Sequence, residues 1–186
     1  MQSDPQIQDK VTDMSDKSDK TVIIINGSGG VGKDTLCEFA MKKYRCMNTS
    51  AITPVKEMAA MAGWRGEKTD AARKFLSDLK QLTVEYSDYP TRWLMERYRE
   101  FLAGDAEILF VHIREGSEID KLVNAVRADG GRVVTLLIRR GESRHYGNAS
   151  DDNVENYDYD FIYRNDKTLK QAEKDFPAFL ESEVLV

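Results

Sequence analysis

Continuous apolar runs recur along the chain and predict strands that are buried on both faces. Thr21–Ile25 is the first run, and Ile108–Ile113 and Val133–Ile138 are the clearest later ones. Because these runs lack polar alternation, they suit the interior of a parallel sheet better than a half-exposed antiparallel one. Weaker strands are predicted at Ser50–Ile52 and Phe161–Tyr163, which gives a five-stranded parallel sheet.

Helical spacing of apolar residues fills the segments between these strands. It predicts one helix from about Lys33 to Tyr44 and two more across 71–82 and 94–102. A further helix follows Ser117 as its N-cap, and a last one covers about 168–180. The alternation of strands and helices predicts a three-layer α/β domain.

Length and charge narrow the class of protein. The chain has 186 residues, which suits one domain, and 27 Lys and Arg against 32 Asp and Glu give a net charge of −5. Such a charge argues against a nucleic-acid partner that is held by bulk electrostatics. No apolar run approaches a membrane span, and Cys37 and Cys46 lack metal or redox spacing. We therefore expect a cytoplasmic protein with free thiols that acts as a monomer or homodimer.

The first twenty residues differ in composition from the rest. Residues 1–20 contain four apolar side chains, those of Met1, Ile7, Val11 and Met14. A segment that buries so little apolar surface cannot offset its ordering entropy. The sequence therefore predicts a disordered tail at 1–20 and a domain at 21–186.

A glycine-rich loop between the first strand and the first helix is the most informative segment. Glycines let backbone N–H groups converge on an anion, and the following helix adds the positive end of its dipole. The lysine at its end can reach the outer phosphates. The strand–loop–helix context predicts an ATP phosphate site formed by Gly27, Ser28, Gly29, Gly30, Val31, Gly32, Lys33, Asp34 and Thr35.

Asp34 departs from the strict GxxxxGK[ST] pattern, in which a Ser or Thr hydroxyl ligates Mg²⁺. Its carboxylate could hold Mg²⁺ directly or through water, or it could stabilise the helix N-terminus. We predict Lys33 and Asp34 as catalytic residues, and Asp34 and Thr35 as metal-binding residues.

The Gly32-Lys-Asp-Thr35 ending resembles the P-loop nucleoside monophosphate kinases, most of all the deoxynucleoside monophosphate kinases. P-loop phosphomevalonate kinases share only the GKD part. Residues 63–73 and 75–79 resemble the acceptor-side helix of the group, and Asp160–Asp166 resembles the DYVIVND ending of guanylate kinases and their relatives. The resemblance implies a five-stranded parallel core, a helical acceptor-binding insert at about 55–105 and a lid at about 139–159. One departure is that the strand at 108–113 ends in His112-Ile-Arg114-Glu115, without the usual Mg²⁺-supporting Asp.

Charged residues near the predicted strand ends and inside the insert are candidates for acceptor binding and catalysis. Ligands of open α/β sheets sit beyond the carboxyl ends of the strands, where Arg114 and Glu115 lie. Arginine suits phosphate recognition, although surface arginines are common. The predicted acceptor-binding residues are Arg65, Arg73, Arg92, Arg114 and Glu115. Arg114 and two lid arginines, Arg140 and Arg144, are predicted to be catalytic, because cations there would neutralise the transferred phosphoryl group.

The expected reaction is transfer of the ATP γ-phosphoryl group to a small phosphorylated acceptor, with a (deoxy)nucleoside monophosphate as the favoured substrate. Three alternatives remain open. The acceptor could be another phosphorylated metabolite of the dephospho-coenzyme A or phosphomevalonate type. The chain could instead bind ATP as a regulator without transferring phosphate, or it could be an oligomerising scaffold with a vestigial loop.

Overall fold

A computed structural model describes residues 20–141 and 154–186, and it contains a sheet of five parallel strands. The strands lie in the order β2-β3-β1-β4-β5. Their bounds are β1 Thr21–Asn26, β2 Cys46–Ser50, β3 Ile108–His112, β4 Arg132–Arg139 and β5 Phe161–Arg164. The five-stranded parallel sheet predicted from the sequence is confirmed.

The second strand lies earlier in the chain than the sequence predicted. It covers Cys46–Ser50, whereas residues 51 and 52 form a turn that leads into the next helix. Its residues pair in parallel with β3, from Cys46 opposite Ile108 to Ser50 opposite His112. Because β2 is a half-exposed edge strand with polar side chains, it carries no apolar run that could have marked its bounds.

Six α-helices lie within the described residues. They are α1 Lys33–Met41, α2 Thr53–Met61, α3 Asp70–Ser87, α4 Tyr89–Ala103, α5 Gly116–Ala128 and α6 Leu169–Phe179. The prediction of Ser117 as an N-cap is wrong, because α5 begins at Gly116 with Glu115 at its N-cap, and the Glu115 carbonyl accepts from Glu118 and Ile119. By contrast, Thr168 caps α6 in a reciprocal arrangement with Gln171.

Helices cover both faces of the sheet. On one face, α4 and α5 pack on Val22, Ile24, Leu109 and Val111. On the other face, α1 and α6 pack on Ile23, Ile25, Phe110 and Ile138. Successive residues of β1 thus contribute to opposite cores, which explains why its run is continuously apolar. No helix among residues 20–141 and 154–186 is long and apolar enough to cross a membrane.

Lys20 extends the folded domain one residue beyond the predicted boundary. The rest of the predicted tail, residues 1–19, lies outside the described residues. The side chain of Lys20 is buried, and its ammonium donates to the carbonyls of Phe101 at 3.1 Å, Gly104 at 2.8 Å and Ala106 at 2.8 Å. One cation therefore satisfies three carbonyls between the end of α4 and the start of β3.

We expect Lys20→Met to lower the free energy of unfolding by about 2 kcal/mol or more, because it leaves buried carbonyls without a donor. Urea denaturation followed by circular dichroism measures this loss. The control is Lys56→Met on the exposed surface of α2, which should change stability by less than about 0.5 kcal/mol. Equal stabilities of the two variants would contradict the assignment.

Candidate phosphate-binding site

The glycine-rich loop and two of the predicted acceptor-binding residues, Arg114 and Glu115, follow neighbouring strands of the sheet. Strands β1 and β3 are neighbours, and their chains continue into α1 on one face and α5 on the other. Diverging connections of this kind open a crevice beyond the carboxyl ends of the strands. The loop Gly27–Gly32 follows β1 and residues 113–115 follow β3, so both segments lie at this end of the sheet.

The backbone of the loop depends on glycine at defined positions. Gly27 has φ +147°, and a Cβ at this residue would lie 2.5 Å from the carbonyl oxygen of Ile138 on β4. Gly32, at the N-cap of α1, has φ +91°, and a Cβ there would lie 2.8 Å from the side-chain amide of Asn165. Side chains are excluded at both positions, so the loop backbone packs closely between β4 and the segment that follows β5.

Lys33 lies over the loop at the start of α1. Its ammonium donates to the carbonyl of Gly27 and to that of Ser28, the latter at 3.1 Å. The N-cap residue of α1 is Gly32, which has no side chain to form a cap hydrogen bond. A cation and the N-terminus of a nine-residue helix thus lie at one end of the loop, an arrangement that suits a phosphate group.

Two buried asparagines that the sequence analysis did not select hold this loop in place. The Asn26 side chain accepts from the Gly27 N–H at 2.8 Å and donates to the Arg114 carbonyl at 3.1 Å and the Tyr159 hydroxyl at 2.7 Å. The Asn165 amide donates to the Val31 carbonyl at 2.8 Å. Asn26 is the last residue of β1 and Asn165 directly follows β5, and these positions at strand ends were the available sequence signal.

Tyr159, which accepts a hydrogen bond from Asn26, also contacts the last part of the predicted lid segment. Its hydroxyl donates to the carbonyl of Val154 at 3.0 Å. Burial raises the pKa of Tyr159 to about 12, so the hydroxyl keeps its proton and remains a donor at neutral pH. The loop and the base of the predicted lid are therefore linked through two side chains.

Asp34 and His112 face each other beside the first turn of α1. The Asp34 side chain is 90% exposed, and its carboxylate lies 4.0 Å from His112 Nδ1. Burial lowers the pKa of His112, although the Asp34 carboxylate opposes this shift. Burial therefore favours the neutral form of the imidazole. The same burial raises the pKa of Cys37, the residue three positions after Asp34, and keeps its thiol protonated.

Glu115, one of the predicted acceptor-binding residues, forms an ion pair with a lysine. Lys80 on α3 lies 2.5 Å from Glu115 and 2.9 Å from Glu118. Lys80 and Glu118 are largely buried, so this pair of contacts joins α3 to the start of α5. Arg114, next to Glu115, has an exposed side chain at the carboxyl end of β3.

The other predicted acceptor arginines are spread along the insert. Arg65 follows α2, Arg73 pairs with Asp70 at the start of α3, and Arg92 donates to Ser87 at the end of α3. Fourteen residues of helix between Arg73 and Ser87 correspond to about 20 Å. A single acceptor phosphate can therefore contact Arg73 or Arg92 but not both.

The predicted lid, residues 139–159, lies largely outside the described residues, and so does Arg144. Arg140 follows β4 with an exposed side chain. Its neighbour Arg139 pairs with Glu155, with 2.8 Å between Nε and Oε2. The Gly141 N–H donates to Asp166 at 2.6 Å, so the end of β4 is tied to the segment after β5.

We expect Gly27→Ala to lower the free energy of unfolding by about 2 kcal/mol or more, because its Cβ would collide with the β4 backbone. Gly29→Ala is the matched control within the same loop. No atom of residues 20–141 and 154–186 lies within 4 Å of its Cβ position, so stability should stay within about 0.5 kcal/mol. Thermal unfolding of both variants tests the close contact, which would be refuted by equal stabilities.

No protein-family model matches the chain, and no curated protein matches its sequence. Solved structures are similar in fold. The tunicamycin resistance protein of Deinococcus radiodurans aligns over 87% of this chain and 95% of its own, with 13% identity and a TM-score of 0.57. The APS kinase of Mycobacterium tuberculosis, solved with AMPPNP and APS, has 11% identity, coverages of 88% and 98% and a TM-score of 0.49. Shikimate kinase from Aquifex aeolicus has 13% identity, the same coverages and a TM-score of 0.46. The chain therefore shares its α/β fold, with a five-stranded parallel sheet, with the tunicamycin resistance protein.

Proposed function

We propose that the chain transfers the γ-phosphoryl group of ATP to a phosphate group of a small acceptor, with a (deoxy)nucleoside monophosphate as the favoured substrate. The observation that carries the proposal is the position of the loop. Gly27–Gly32 and Lys33 follow the central strand β1, and Arg114 follows the neighbouring strand β3, so both lie at the carboxyl ends of adjacent parallel strands. A phosphate cradle and an arginine at the same end of one sheet suit a donor and an acceptor that both carry phosphates.

The residues near the cradle fit a magnesium ion that accompanies the nucleotide. Mg²⁺ prefers oxygen ligands and usually takes one or two from protein, while phosphates and water supply the rest. Asp34 offers an exposed carboxylate at the start of α1, and Thr35 offers a hydroxyl. These two residues would hold the ion, directly or through its bound water, and the ion when bound neutralises charge on the triphosphate.

The transfer itself needs little chemistry from the protein. An acceptor phosphate oxygen attacks the γ-phosphorus, the bond from that phosphorus to the β,γ-bridging oxygen breaks, and ADP leaves with the electron pair. Because the attacking oxygen is already an anion, no strong general base is required. Lys33, Arg114 and Arg140 would act by positioning the two phosphate groups and by offsetting the charge that develops between them.

A second candidate is a nucleotide-binding regulator that transfers no phosphate. One observation favours it: β3 ends with His112, where a carboxylate would support the metal. The two functions differ in a simple measurement, because only the kinase consumes ATP in proportion to an acceptor.

The test is coupled ADP release from Mg-ATP with a panel of ribo- and deoxyribonucleoside monophosphates, extended to dephospho-coenzyme A and phosphomevalonate. Stimulation by one or a few nucleoside monophosphates is the expected result. Stimulation by another phosphorylated metabolite alone would support kinase activity and contradict a nucleoside monophosphate as the acceptor. A flat panel together with measurable ATP binding would favour the regulator.

We expect Lys33→Ala to reduce kcat by about 100-fold or more, because it removes the cation nearest the phosphate cradle. Lys56→Ala, on the exposed surface of α2, is the matched control and should retain wild-type turnover. Unfolding curves for both variants show whether the fold is intact. Wild-type turnover in a folded Lys33→Ala variant would contradict the assignment of Lys33 and its loop as the ATP phosphate site.

For the acceptor, we expect Arg114→Ala to raise its KM by about 10-fold or more while the KM for ATP changes little, because a bidentate phosphate contact is lost. Arg127→Ala, near the far end of α5, controls for removal of one surface arginine. Equal effects on both KM values, or none on either, would contradict an acceptor role for Arg114.

A further inference from the structure

His112 occupies a position that the register of the sheet makes specific. It pairs with Ile25 on β1 and with Ser50 on β2, at the last position of β3. Its side chain lies on the same face as Ile108 and Phe110, which is the face that α1 covers. The imidazole is therefore placed under the first turn of α1, next to the proposed phosphate cradle.

Asn48 fixes the orientation of the ring. Its side-chain oxygen lies 2.9 Å from His112 Nε2. A carbonyl oxygen accepts hydrogen bonds, so Nε2 carries the proton in the neutral ring and Nδ1 carries a lone pair. The thiol sulfur of Cys37 lies 3.9 Å from Nε2 on the side of α1, so the ring is held between β2 and α1.

The free lone pair of Nδ1 faces a second acceptor. The Asp34 carboxylate lies 4.0 Å away, which is too far for a direct hydrogen bond and short enough for one water molecule to reach both atoms. A single donor such as a water molecule can bridge two acceptors that face each other across this gap. Water bound to a divalent cation is a strong donor, because the cation polarises its O–H bonds.

We propose that His112 is a positioning residue that, together with Asp34, accepts hydrogen bonds from the water shell of the divalent cation that accompanies ATP. This inference rests on the proposed function, because it requires a metal–nucleotide complex in the cradle. A neutral imidazole supplies an acceptor without adding negative charge beside the triphosphate. Mg²⁺ gives up its water reluctantly, so an acceptor for bound water suits it well.

The experiment measures the contribution of the metal to nucleotide affinity without catalysis. Calorimetry gives the Kd of AMPPNP, a non-hydrolysable ATP analogue, in Mg²⁺ and in EDTA. The Kd in EDTA divided by the Kd in Mg²⁺ is the contribution of the metal to affinity. In His112→Phe, which keeps a planar aromatic ring and loses the acceptor, we expect the ratio to fall by about 10-fold, with the Kd in EDTA within about twofold of wild type. His112→Asn keeps an acceptor near the position of Nδ1, and its ratio should stay within about threefold of wild type.

Each other outcome overturns a defined statement. An unchanged ratio in His112→Phe, while the wild type binds AMPPNP, overturns the role of His112 and leaves the proposed function intact. An equal loss of affinity in Mg²⁺ and in EDTA makes His112 a structural residue and overturns the inference as well. Absence of AMPPNP binding by the wild type overturns the proposed function and the inference together.

Asn48→Ala is a second variant that leaves the ring in place if His112→Phe does not fold. Asn48 lies on the exposed edge strand, so its removal should be tolerated while the ring loses the contact that orients Nδ1. We expect the ratio of affinities to fall by about threefold. An unchanged ratio in this variant would also count against the proposal.

Discussion

The position of the candidate site depends on the hydrogen bonds of the buried Asn26 side chain. Asn26 is 1% exposed and joins the first residue of the glycine loop, the carbonyl of Arg114 and the hydroxyl of Tyr159. Three segments that are distant in sequence therefore meet at one side chain. A buried polar group without partners is costly, so each of these bonds constrains where its segment can run.

The two halves of the crevice are built in different ways. The proposed donor side consists of backbone, fixed by Gly27 against β4 and by Gly32 against Asn165. The proposed acceptor side consists of long side chains of α3 and the start of α5 that contact one another through charges. A rigid cradle suits a triphosphate that is the same in every reaction cycle, whereas adaptable side chains suit the part of the site that selects the acceptor.

Much of this architecture could be predicted from the sequence. The apolar runs at β1, β3 and β4 indicate strands that are buried on both faces. The glycines of the loop indicate backbone positions at which a side chain does not fit. Strand β2 could not be located as well, because an edge strand needs no apolar run. The roles of Asn26, Lys80 and His112 also escaped prediction, since each arises from contacts between residues at least 35 positions apart. Such contacts leave no local pattern in a single sequence.

Helix α3 has no fully buried residue, and side chains such as Leu82 and Tyr86 remain largely exposed. Its attachment to α5 depends on Lys80 with Glu115 and Glu118, and on Asp88 with Lys121. Ion pairs are screened by salt in a way that apolar packing is not. The free energy needed to open α3 locally is therefore smaller than that of global unfolding and depends on ionic strength, whereas the sheet and the phosphate cradle keep their structure. The rate of hydrogen exchange at the α3 amides is therefore governed by this local opening, whereas exchange at the β1 amides is not.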